Sequence, residues 1–294
     1  MVVAVFKNQA LMKWMGRRES GNIDDQRGSG RGLAVGGGLT AVVAVVFALL
    51  TGQNPLEFIG MAQQGGANTS SEQKDLSTDV QGDANAHFVA TVLGDTEDVW
   101  DSIFTAHQMR YEKPVLTLFT DQIRSGCGAA SSQTGPFYCP ADSKVYIDLS
   151  FYNELKDRFG APGDFAMAYV VAHEVGHHIQ HLLGTTDKVD NMRGRLSEAE
   201  LNEQSVRLEL QADFYAGVWA HYIQRKNILD EGDFEEALNA ANAIGDDRLQ
   251  METQGHVVPD AFTHGTSAQR MKWFKKGYDT GDMSAGDTFS TSSL

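Results

Sequence analysis

The chain has 294 residues, 41% of them hydrophobic and 21% charged, which suits one folded domain with appendages. Its formal net charge of −15 speaks against nucleic acid as a partner, because phosphates need a basic footprint. The charge is uneven: residues 1–31 carry six basic against three acidic side chains, a net of +3 that leaves −18 for the rest.

In chain order, residues 1–32 read as a basic head. Residues 33–50, LAVGGGLTAVVAVVFALL, hold no charge and only Thr40 as a polar side chain. As a helix they would reach about 27 Å, roughly the hydrocarbon thickness of a bilayer, so one transmembrane anchor is expected. A cleaved signal peptide is the alternative, but TGQNPLEF is a poor A-x-A cleavage match. Six positive residues precede the run and none follows until Lys74, which predicts a cytoplasmic N-terminus and an extracytoplasmic body in a single-pass cell-membrane protein. Gly32 and Gly36 make one GxxxG spacing, too little to specify helix pairing. Residues 51–85 are polar, small and glycine-rich, the composition of a flexible linker.

The folded domain is expected over 86–279. Apolar residues recur at helical spacing between His87 and Arg110, and VLTLF after Pro114 is a short β-rich run. GPFYCPADSKVYIDLSF has the form of an antiparallel hairpin, with Val145, Ile147 and Leu149 alternating on its second strand. Cys127 and Cys139 are close enough to be joined in an oxidising compartment, where so short a loop stabilises by about 3 kcal/mol. A short helix over Phe151–Phe159 precedes a strong one from Asp164, a candidate N-cap, to Leu183, with Gly184 as its stop. Ser197 and Glu200 form a capping box opening a long helix to Asn227. Asp233–Gln250 reads as one further helix, and another starts near Thr266 or Ser267. Residues 280–294 are Gly-, Ser-, Thr- and Asp-rich, and disorder is expected there. The fold class is therefore α+β and mostly helical, with a small antiparallel hairpin or sheet behind one transmembrane helix.

The chemistry centres on Ala172-His173-Glu174-Val175-Gly176-His177. Residues i and i+4 share a helix face, so both imidazoles can reach one ion, while Glu174 stands close enough to touch water there as a general base. Glycine in a helix interior costs about 1 kcal/mol against alanine; a second helix passing close would explain Gly176. Thirty-two residues beyond His177, Glu209 and Asp213 repeat the i, i+4 spacing in an otherwise apolar helix. Two carboxylates on a buried face need cations or donors. A metal for Glu209 and an imidazole N–H for Asp213 would satisfy both, and Ala212, Ala216 and Ala220 would let that helix pack closely. The remaining histidines have no such pattern. His221, two turns past Asp213, is the one placed to join the surroundings of the site.

VVAHEVGHHIQ with LELQADFYAGVWA resembles the H-E-x-x-H…E-x-x-x-D signature of gluzincin metallopeptidases. With GPFYCPADSKVYIDLSF, HGTSAQRMKWF and MKWMGRRESGNIDDQRG, it is similar to the neutral zinc metallopeptidase family of bacterial membrane proteins. The resemblance implies a zincin-like domain and Zn2+ as cofactor. It implies His173, His177 and Glu209 as ligands, Glu174 as base, and Asp213 as the residue orienting His173. It also implies translation from Met12. His264 and Arg270 resemble the late His-x5-Arg element of CAAX-protease-type gluzincins, which implies a substrate-facing pair with His264 stabilising the transition state. Gly265 stands where those relatives often carry proline. The implied activity is peptide-bond hydrolysis of a peptide or protein substrate, with an edge strand of the hairpin available to pair with it. A catalytically silent zinc-binding envelope module and a zinc hydrolase of a non-peptide bond are the alternatives.

Overall fold

The computed structural model describes residues 12–27 and 83–294. Their elements are β1 (Ile23–Asp25), α1 (Ala84–Ala106), β2 (Val115–Phe119), β3 (Gln122–Ser125), β4 (Gly128–Ser131), β5 (Phe137–Cys139), β6 (Lys144–Asp148), α2 (Phe151–Asp157), α3 (Asp164–Leu182), α4 (Thr185–Asp190), α5 (Glu198–Arg225), α6 (Asp233–Ala243), α7 (Asp246–Gln254) and α8 (Ser267–Thr280). The result is α+β and mostly helical, as expected.

The helices form one core around α3, which is buried from Phe165 to Gly176; Asp164 at its start and the end from His177 onward reach partly into the open. Trp100, Phe165, Phe214, Trp219, Trp273 and Phe274 fill the space between α1, α3, α5 and α8. The α5–α8 crossing is made close by glycine on both sides. A Cβ at Gly217 would lie 2.0 Å from the Phe274 carbonyl oxygen, and one at Gly277 the same distance from that of Phe214.

The expected hairpin is β5 with β6, antiparallel and in register Tyr138 to Val145. It extends into a mixed sheet of order β1-β2-β6-β5, because β2 pairs with β6 in parallel and β1 with β2 in parallel. That leaves β5 as an edge strand. A second hairpin joins β3 and β4, and Cys127 and Cys139 form a disulfide.

Three expectations are corrected. First, residues 12–27 are not a head separate from the domain. β1 aligns Ile23 with Leu116, Ser20 N–H donates to the Ala90 carbonyl at 2.9 Å, and Met12 is 2% exposed. Arg18 Nη2 meets Glu97 and Asp98 at 3.0 and 2.7 Å, and Arg17 pairs with Asp95. A strand hydrogen-bonded in a sheet is part of the folded body, so residues 12–27 belong to the same domain as 83–294. The expected anchor 33–50, and the linker as far as residue 82, lie outside the described residues; among those described, no helix is long and apolar enough to cross a membrane. Second, residues 280–294 fold back on α5: Thr288 is fully buried, its hydroxyl donates to the Arg207 carbonyl at 2.7 Å, and Gln211 Nε2 donates to the Gly286 carbonyl at 2.9 Å. Third, the single helix expected over Asp233–Gln250 is two, α6 and α7, broken at Gly245 where Ser267 packs against the backbone.

Candidate metal centre

α3 and α5 bring the chemistry together. The Ser197–Glu200 capping box opens α5, and the helix crosses α3 where Gly176 removes the obstacle. A Cβ there would sit 2.8 Å from the Ala212 carbonyl oxygen and 3.1 Å from its Cα. One turn before Ala212, Glu209 therefore faces both histidines: its Oε2 lies 3.2 Å from His173 Nε2 and its Oε1 3.4 Å from His177 Nε2. Donor atoms of the three residues all fall within 4.8 Å of one another. Ligands at about 2.1 Å from a tetrahedral zinc stand roughly 3.4 Å apart. The donor set and its spacing fit that ion.

The outer contacts fix each ring. His173 Nδ1 donates to Asp213 Oδ1 at 2.8 Å, and His177 Nδ1 meets Gln180 Oε1 at 2.9 Å, so each imidazole turns Nε2 toward Glu209. Gln180 is itself held by the Leu208 carbonyl at 2.7 Å. Asp213, with no exposed surface, also accepts from the Tyr169 hydroxyl at 2.5 Å and from Arg270 Nε and Nη2 at 2.8 and 2.9 Å. Burial works against its charge, but Arg270 and His173 hold the carboxyl at about 2. Burial likewise disfavours a charged His173, yet Asp213 and Glu209 raise it to about 10. His177 is raised despite burial by Glu209. The two imidazoles overcome desolvation of Glu209 and keep it well below the usual carboxylate range.

The centre opens on a cavity of about 560 Å³ lined by Glu174, His264, Tyr138 and Phe137 among others. His264, half exposed, places Nδ1 3.2 Å from Asp246 Oδ1. Asp246 Oδ2 accepts the backbone N–H groups of Thr263, His264 and Gly265 at 2.7, 2.6 and 3.1 Å, which sets the loop. Gly265 has φ +85°, which proline cannot adopt. Arg270, expected to face substrate, lines the same cavity but is 2% exposed, with its guanidinium committed to Asp213. His221 is elsewhere, with Nδ1 donating to the Tyr278 carbonyl at 2.7 Å. His178 is a core group: its Nε2–H donates to the Glu112 carbonyl at 2.6 Å, its Nδ1 lies 3.0 Å from the Tyr138 hydroxyl, and burial lowers it to about 4.

Tyr169, Gln180 and Asp246 escaped sequence reasoning. Tyr169 is i−4 from His173 and Gln180 is i+3 from His177, so both share the ligand face of α3 and were findable from spacing. Asp246 has no local signal, because its partners lie 17 to 19 residues away.

Two helices, an H-E-x-x-H pair and a glutamate from the second helix supply the donor set of a zinc centre. The chain belongs to the family described as "Putative neutral zinc metallopeptidase", whose profile matches residues 12–289. It is 48% identical over 288 residues to the uncharacterized protein YpfJ of Escherichia coli strain K12, covering 96% of this chain and all of the relative. It is 43% identical over 223 residues to the uncharacterized protein Mb2605 of Mycobacterium bovis, covering 72% and 74% of the two chains. No solved structure matches it.

Proposed function

We propose that the protein is a zinc-dependent peptidase that cleaves an extended peptide or protein segment laid across the α3–α5 centre. The observation that carries this is the convergence of His173, His177 and Glu209 on one point, with Glu174 on the wall of the same cavity. Zinc, when bound, supplies Lewis acidity and lowers the pKa of water beside it.

The chain's own residues do the rest. Glu174 takes the proton of the attacking water and returns it to the leaving amine. His264, held through Nδ1 by Asp246, is placed at the cavity to donate to the oxyanion that develops on the carbonyl. Gly135 to Tyr138, leading into and along the edge strand β5, also line the cavity, so a substrate backbone can add to the sheet there. The uncharged 33–50 run supplies membrane attachment in this reading.

Metal analysis and digestion of an unbiased peptide library test the assignment. Glu174→Gln should retain zinc and lose turnover by at least 10²-fold, whereas Glu209→Ala should lose zinc and activity together. Wild-type cleavage by Glu174→Gln would defeat the mechanism. A zinc-loaded wild-type protein that cleaves no peptide would favour the silent module or a non-peptide substrate.

A further inference from the structure

Far from the zinc ligands, at the opposite end of α3, three carboxyls meet. Asp164 opens α3, and Asp233 and Glu236 lie in the first turn of α6. Their oxygens fall within 4.8 Å of one another. Asp233 has no exposed surface; its Oδ2 accepts the Asp230 N–H at 2.8 Å, while its Oδ1 is buried without a hydrogen-bond partner. Both Asp164 oxygens are buried without a hydrogen-bond partner. Glu236 Oε2 accepts only the Phe165 N–H, at 3.2 Å. Lys13, whose charge reaches Asp233, is taken by Asp230 at 3.1 Å.

Such a cluster is costly without a cation. Burial, followed by mutual repulsion, pushes Glu236 to about 7, and burial pushes Asp233 to about 6. Burial raises the Asp164 carboxyl, and the backbone groups of Met12, Asp164 and Phe165 partly offset this, Met12 the most. Met12 is 2% exposed and is fixed in place: the Lys13 N–H donates to the Ile228 carbonyl at 3.1 Å. An amide nitrogen brings one proton and no charge to three carboxyls. An α-ammonium brings three protons and the missing positive charge to the same position. The family match also begins at residue 12.

We propose that Asp164, Asp233 and Glu236 form a cage for the chain's own α-ammonium group, with Met12 as the first residue of the functional protein. The cage ties the N-terminus to the start of the helix that carries His173 and His177, and this holds whatever bond the zinc centre cleaves.

Protein made from its natural gene should give, by intact mass and N-terminal sequencing, a chain starting at Met12 with a free amine; a chain starting at Met1 overturns the proposal. In the folded Met12-start protein an amine-acylating reagent at neutral pH should modify Lys13 and spare the α-amine, which should react on unfolding. Equal reaction of both groups in the folded state overturns it. Asp164→Asn with Asp233→Asn should expose the amine and lower Tm. Should that pair fail to fold, the comparison passes to wild-type chains started at Met1 and at Met12: the Met12-start form should melt several degrees higher, and equal Tm values count against the cage. A calcium titration closes the remaining route, since saturable Ca2+ binding to the Met12-start protein that Asp164→Asn abolishes would make the occupant a divalent cation instead.

Discussion

Asp213 serves two positive partners at once, taking His173 Nδ1–H on Oδ1 and the Arg270 guanidinium on both oxygens. Its spacing from Glu209 marked it as a ring-orienting residue from sequence. Arg270 could not be placed that way, because its direction depends on how α8 crosses α5, 57 residues away. The same electrostatics make a prediction about metal uptake. With zinc removed, His173 titrates near 10, against about 6.5 for free histidine, and His177 is raised in the same direction. At pH 7 the His173 imidazole of the apo centre therefore holds two protons, and its ligand nitrogen must lose one to bind. The sign follows: a raised pKa means proton release on binding at neutral pH, fading as the pH climbs toward 10. Calorimetry of zinc binding to apo protein in buffers of different ionisation enthalpy should show net proton release at pH 7. Binding without proton release would mean that these imidazoles are not the ligands.

At the scale of elements, helices with their own punctuation were readable. α5 and α8 begin at Ser197 and Thr266, each with a reciprocal capping box, and α3 ends at Gly184 in the left-handed region. The α6–α7 break was not, because it is imposed from outside: Ser267 occupies the space beside Gly245, and Asp246 must turn to hold the His264 loop. Gly176 shows the opposite case, a local oddity with a tertiary cause that the sequence did expose. Its absent side chain sets the α3–α5 distance, and that distance sets where Glu209 meets the histidines. Gly176→Ala gains helix propensity of about 1 kcal/mol, but its Cβ would strike backbone at 2.8 Å, which a rotamer change cannot relieve. Overpacking of this kind costs about 1–3 kcal/mol, so a net loss of stability is expected, together with weaker zinc binding as Glu209 is pushed away. Denaturant unfolding and chelator competition would measure the two. Equal or higher stability with unchanged affinity would show that the helices can slide without disturbing the centre.

For the whole molecule, the decisive feature is the place of residues 12–27. Their arginines read from sequence as a positive-inside signal, which presumes free charge on the cytoplasmic face. In the fold those charges are paired within the domain: Arg17 with Asp95, Arg18 with Glu97 and Asp98, Arg27 with Asp25 and Asp83. Ion pairing across some 70 residues leaves no periodicity in sequence, so a structural set of counter-charges looked like a targeting signal. The geometry then constrains topology. Adjacent strands lie about 4.8 Å apart, whereas a bilayer core is about 30 Å thick, so β1 cannot pair with β2 from across it. Whatever compartment holds the body that carries the Cys127–Cys139 disulfide, β1 is hydrogen-bonded to the same sheet. Met15 and Met251 are 76% and 53% exposed, one in each segment, and the two native cysteines are already joined. Single variants Met15→Cys and Met251→Cys should therefore react with a membrane-impermeant maleimide under the same conditions in intact cells, or both only after permeabilisation. Labelling of one in intact cells while the other waits for permeabilisation would separate the head from the body, and with it dismantle the sheet described here.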